Sequence, residues 1–108
     1  MSISVEDEKD LKSKIEQNKL VFVKFSAKWC GPCKMIQPDY DRLARDYIGK
    51  AIFLTADVDE IEDSQFVQGV RGLPTFKCYV NAKHVSSLSG AEKDVLKIFV
   101  STGFQKSL

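Results

Sequence analysis

This chain predicts an α/β sandwich, a central mixed sheet of about five strands flanked by four helices, and three observations carry that expectation. Residues 20–26 and 51–58 are apolar at most positions, as strands buried on both faces are. Segments with apolar residues at helical spacing run between and after them. Late in the chain two strand-like stretches follow one another across a short polar turn. Strands joined through helices lie parallel, and the late hairpin adds an antiparallel edge.

In chain order, residues 3–5 read as a short edge strand. Residues 6–18 are charged, with Leu11 and Ile15 spaced i, i+4, and read as a surface helix with a thin apolar stripe. The first buried strand follows. A helix over residues 32–48 takes its apolar face from Met35, Ile36, Leu43, Ala44 and Tyr47, with Pro38 inside it. After the second buried strand, residues 61–67 read as a short helix ending near Gly69. Residues 75–80 and 84–88 form a hairpin across Asn81-Ala82-Lys83, a wider turn than the Asn-Gly pair that tight hairpins prefer. The last helix, residues 91–102, places Val95, Leu96, Phe99 and Val100 on one face.

The chain has 108 residues, 44% hydrophobic and 29% charged, the balance of one globular domain over residues 1–108. Its 16 basic and 15 acidic residues leave a net charge of +1, which removes the basic excess expected of a nucleic-acid module. The longest apolar runs, residues 20–23 and 51–54, fall far short of the roughly 20 residues of a membrane span. The start of the chain lacks the basic and apolar regions of a signal peptide, so the expected compartment is the cytosol. Three cysteines are too few for a disulfide-stapled secreted fold.

Two of those cysteines carry the chemistry. In Trp29-Cys30-Gly31-Pro32-Cys33-Lys34 the chain leaves a buried strand and enters a helix. Cys30 therefore falls at a helix N-terminus, where unpaired N–H groups and the macrodipole favour an anion. A thiolate is such an anion, so Cys30 is the expected nucleophile. Gly31 removes bulk beside the sulfur, and Pro32 suits a first helical turn. Cys33, one turn further in, is expected to be more buried and to resolve a mixed disulfide. The competing reading of C-x-x-C is half of a zinc site. Its remaining ligands would have to be Cys78 and His84, whose spacing matches no common zinc pattern.

The run from Trp29 to Lys34 resembles the active-site signature of the thioredoxin family, and the resemblance covers essentially the whole chain. The C-G-P-C form separates it from glutaredoxins, usually C-P-Y-C, and disulfide isomerases, usually C-G-H-C. Pro38 is similar to the kink proline of the family's second helix. Leu73-Pro74-Thr75 resembles its cis-proline loop, and Gly90 a glycine of its substrate groove. Ser26 resembles the animal-type cytosolic branch. The resemblance implies a thioredoxin fold. It also implies a protein-disulfide reductase cycling between a Cys30/Cys33 dithiol and a disulfide. Substrate would contact Trp29, Gly31, Pro32, Leu73, Pro74 and Gly90, with the backbone of Leu73 pairing with an extended segment. Asp59 would hold the Trp29 indole N–H. No cofactor would bind the chain, because a thioredoxin reductase drawing on NADPH would restore the dithiol. The expected partners are disulfide-containing proteins and that reductase, with no nucleic acid and no membrane, and the chain is expected to be a monomer.

The chain departs from the family at two positions. Most thioredoxins carry a buried Asp six residues before the first active-site cysteine, and here that residue is Lys24. Thr55 stands where the family often has Lys or Glu on the neighbouring strand. Lys24 interrupts an apolar strand, and burial of its ammonium should lower its pKa. A neutral amine could accept the Cys33 proton, and a charged one could stabilise a thiolate. Alternatively, Lys24 bends to solvent or pairs with Asp57 or Asp59. These departures support a second reading, a thioredoxin fold kept as a protein-binding module with little redox activity. Cys78 shares a strand face with Phe76 and Val80, and is expected to be a buried, inert thiol.

Overall fold

The computed structural model describes residues 2–108. Its elements are β1 (Ile3–Ser4), α1 (Glu8–Gln17), β2 (Leu20–Ser26), α2 (Gly31–Asp46), β3 (Ile52–Asp57), β4 (Thr75–Val80), β5 (Lys83–Ser89) and α3 (Lys93–Lys106), with a single 3-10 turn at Gln65–Val67. The sheet order is β1-β3-β2-β4-β5. β3 runs parallel to β1 and β2, while β4 is antiparallel to both β2 and β5.

Alternation along β2 divides the core. Leu20 and Phe22 face α2 and α3, where they pack with Ile36, Tyr40, Leu96 and Val100. Val21, Val23 and Phe25 face the opposite way, onto Leu11 and Ile15 of α1. Both faces of the central strands are thus covered by helices, which is why residues 20–26 read as nearly continuous apolar sequence. Tyr40 joins the layers, donating its hydroxyl to Phe22 O at 3.1 Å and Leu54 O at 2.7 Å.

Four expectations are corrected. The described residues form three α-helices, not four. The expected fourth breaks into turns: Ser64 N binds Ile61 O and Val67 N binds Ser64 O, both spanning three residues. The Ser64 side chain also accepts from Phe66 N, giving the backbone a local alternative to an α-helix. Met35, expected on the buried face of α2, is 79% exposed. The buried residues of that helix are Cys33, Ile36, Tyr40, Leu43 and Ala44, and Met35 sits about 100° from Ile36 around the axis. The hairpin turn is tight rather than wide. Lys83 already pairs with Val80, and Asn81 and Ala82 take up φ of 51° and 68°. Positive φ at both central residues is the demand of a twist-matched two-residue turn. In α3, Leu96 and Val100 are buried, but Val95 is 40% exposed.

Candidate active site

The site forms where β2 ends. Cys30 is the N-cap of α2, with extended backbone, and Cys33 N donates to its Sγ at 3.2 Å. The Cys33 N–H of the first turn therefore points at the sulfur, a contact that favours a thiolate. Cys30 and Cys33 are joined by a disulfide, their Cα atoms 5.3 Å apart. The exposure contrast expected between them is small: Cys30 is 4% exposed and Cys33 1%. Pro32 occupies the first turn, and a Cβ on Gly31 would meet no heavy atom within 4 Å, so the approach to the disulfide is open there.

The peptide bond between Leu73 and Pro74 is cis. Leu73 packs against the small cluster of Ala27, Cys30 and Cys33. Gly90 N donates to Pro74 O at 3.0 Å, with φ of +109° at Gly90, and Thr75 Oγ1 donates to Gly72 O at 2.6 Å. The fold thereby brings Leu73, Pro74 and Gly90, distant in sequence from the cysteines, into one neighbourhood with them. Trp29 is 71% exposed, and its Nε1 donates to Asp59 Oδ2 at 2.9 Å. It forms one wall of a groove of about 300 Å³, with Val58, Val67, Val70, Arg71 and Leu73. Lys28 and Lys34 are exposed.

Lys24 neither bends to solvent nor pairs with Asp57 or Asp59. It is 1% exposed, and its Nζ donates to Cys33 O at 2.8 Å and to Gln37 Oε1. Gln37 Nε2 passes the chain on to Asp41 Oδ1 at 3.1 Å and Ser2 Oγ at 3.0 Å. Burial pulls the Lys24 ammonium down to about 8, with the Asp41 charge acting in the opposite direction. At Asp41 burial acts upward, but hydrogen bonds from Ser2 and Gln37 outweigh it and hold the carboxyl below its ordinary range. Gln37 and Asp41 were not anticipated from the sequence. The signal was present as a polar row at i, i+4, i+8 from Cys33 along α2.

Cys78 is fully buried, and burial pushes its thiol up to about 11. His84 is exposed on β5 and binds Ser86 O and Ser87 Oγ. Among the described residues, no three His, Cys, Asp or Glu side chains gather where a metal ion could sit. No helix among them is long and apolar enough to cross a membrane.

Comparison with known proteins gives one consistent result. The family model described as thioredoxin matches residues 2–102. A thioredoxin H-type of Chlamydomonas reinhardtii is 43% identical over 86 residues, 80% of this chain and 76% of that protein. The thioredoxin of Gallus gallus is 47% identical over 79 residues, 73% of this chain and 74% of its own. The solved structure of Plasmodium falciparum thioredoxin superposes with a TM-score of 0.87 at 38% identity, covering 93% of this chain and 97% of the other.

Proposed function

The chain belongs to the thioredoxin family and is a thiol–disulfide oxidoreductase, and from that premise we propose how its residues divide the work. In the reduced protein the Cys30 thiolate attacks a disulfide sulfur of a protein substrate. A Cys30–substrate bond forms, the substrate S–S bond breaks, and the departing sulfur takes a proton from water. Cys33 then attacks Cys30 Sγ, the second substrate sulfur leaves, and the Cys30–Cys33 disulfide remains. Two electrons pass from the dithiol to the substrate. An NADPH-dependent thioredoxin reductase returns the disulfide to the dithiol, so this chain needs no nucleotide of its own.

Substrate lies as an extended segment along the backbone of Leu73 and Pro74, bordered by Trp29, Gly31, Pro32 and Gly90. The exposed Trp29 and the open face of Gly31 support that path. The single domain fills residues 1–108, acts as a monomer in the cytosol, and transfers electrons to protein disulfides rather than engaging nucleic acid or membranes.

The observation that carries the reading is the Cys30–Cys33 disulfide at the N-terminus of α2, beside Leu73 and Pro74. The test is reduction of insulin disulfides at neutral pH, coupled to thioredoxin reductase and NADPH. NADPH consumption should depend on this chain and disappear in Cys30→Ser. If the protein fails both in this assay and with dithiothreitol as reductant, the binding-module reading takes its place.

A further inference from the structure

Lys24 is a cation enclosed by protein with no anion beside it. Strand alternation turns it, with Leu20 and Phe22, toward α2. Its two acceptors, Cys33 O and Gln37 Oε1, are neutral. Among the described residues no carboxylate lies within ion-pairing distance, and Asp41 is reached only through Gln37. A buried charge is costly unless something compensates it. The residue that Lys24 grips is Cys33, whose sulfur is neutral in the disulfide and able to ionise after reduction.

We propose that Lys24 is a positioning residue for the resolving step, its ammonium stabilising the Cys33 thiolate in the reduced protein. The proposal deepens the reading of Cys33 as the resolving thiol and rests on it. In this step the Cys33 thiol gives its proton to water. The resulting thiolate attacks Cys30 Sγ of the mixed disulfide, the Cys30–substrate bond breaks, and the substrate thiolate is protonated from solvent. A cleft of about 460 Å³ lined by Lys24, Cys33, Gln37, Thr55, Asp57 and Glu60 brings that water to the buried pair.

The other charges around Lys24 do not supply a substitute. Lys28 and Lys34 line the same cleft and add positive potential, while Asp57 and Glu60 oppose it from the β3 side. From α2, Asp41 contributes its charge through Gln37, and the Tyr40 phenol is held far above its ordinary range by burial and stays neutral. Because Lys24 is already pulled toward neutrality in the disulfide form, a neighbouring thiolate has room to draw it back. Linkage makes the effect reciprocal: a lysine that lowers the thiol pKa has its own raised by the thiolate.

Stopped-flow reaction of the reduced protein with 5,5′-dithiobis(2-nitrobenzoate) separates the two steps. The first thionitrobenzoate released reports attack by Cys30, and the second reports resolution by Cys33. In Lys24→Met the second phase should slow about tenfold at pH 7 and its pH midpoint rise by about one unit, with the first phase within about twofold of wild type. An unchanged second phase, or equal slowing of both, overturns the proposal. A second measurement needs no variant. In wild-type protein carrying 13C-lysine, the Lys24 side chain should titrate at higher pH in the reduced than in the disulfide form, and identical midpoints overturn the proposal. Insulin reduction by the wild type separates the two levels. Without it the oxidoreductase cycle itself fails, whereas with it and normal resolution in Lys24→Met only the role of Lys24 does.

Discussion

Gly103 of α3 lies so close to Cys78 of β4 that a Cβ at position 103 would stand 2.8 Å from Cys78 Sγ and 2.8 Å from Cε1 of Phe22. Alanine ordinarily gains about 1 kcal/mol over glycine inside a helix. Here Cys78 and Phe22 are both fully buried and have no space to retreat into. Overpacking costs about 1–3 kcal/mol and should win. Gly103→Ala is expected to lower the urea midpoint, and Gly103→Ala with Cys78→Ala to recover only part of the loss, because the contact with the Phe22 ring remains. A single variant as stable as wild type would show that the two elements slide apart freely.

The buried Cys78 predicts a thiol count. In the native reduced protein Cys30 should react rapidly with an alkylating reagent at neutral pH, the nearly buried Cys33 more slowly, and Cys78 only on unfolding. Burial disfavours the Cys78 thiolate and excludes the reagent. Mass spectrometry after a short pulse reads the result, and three equally fast thiols would contradict it.

Division of labour between the cysteines predicts opposite phenotypes. Cys30→Ser should lose disulfide reduction altogether. Cys33→Ser should accumulate mixed disulfides through Cys30, because no resolving thiol remains. Non-reducing electrophoresis followed by peptide mapping identifies the trapped sulfur. Traps running through Cys33, or full turnover without it, would reverse the assignment.

Lys24 should also leave a signature in stability against pH. Its folded-state pKa of about 8 lies below the ordinary value of 10.5. Below pH 8 both states are charged, and the fold carries the full cost of the buried ammonium. Between pH 8 and 10.5 the native state has lost the proton and the unfolded chain has not, so this group's contribution to stability rises with pH. The change amounts to about 3 kcal/mol across that window. Urea titrations of wild type and Lys24→Met, both in the disulfide form, should differ by an amount that shifts in favour of wild type as pH rises. A constant difference would show that the ammonium is not strained by burial.

Ala82 holds a φ of 68° that a Cβ disfavours. Ala82→Gly should therefore stabilise the hairpin by about 0.5–1 kcal/mol, even after the added flexibility of the unfolded chain. The effect is measurable as a raised thermal midpoint, and a lowered midpoint would mean that the turn tolerates alanine without strain.

Local periodicity in the amino-acid sequence was enough to place the central strands and the active-site cysteines. The apolar runs at residues 20–23 and 51–54 could be read as central strands, because a strand covered on both faces needs apolar side chains in both directions. The position of Cys30 at a helix start could be read because the strand ends and the helix begins within a few residues. Alternation alone was enough to bury Cys78 beside Phe76. Tertiary structure decided the rest. Met35 looks like a core residue by type, and only the packing direction of α2 turns it outward. Asn81-Ala82 looked too poor a turn to be tight, until β4 and β5 paired and imposed positive φ on both residues. Lys24 was recognisable as an anomaly, but its partners were not. Gln37 lies 13 residues away, and Ser2 another 35 beyond it along the hydrogen-bond chain. A strand pattern states which face a side chain occupies. Which polar groups wait on that face is decided only when the neighbouring helix docks, because a buried amine takes the acceptors that folding brings within reach.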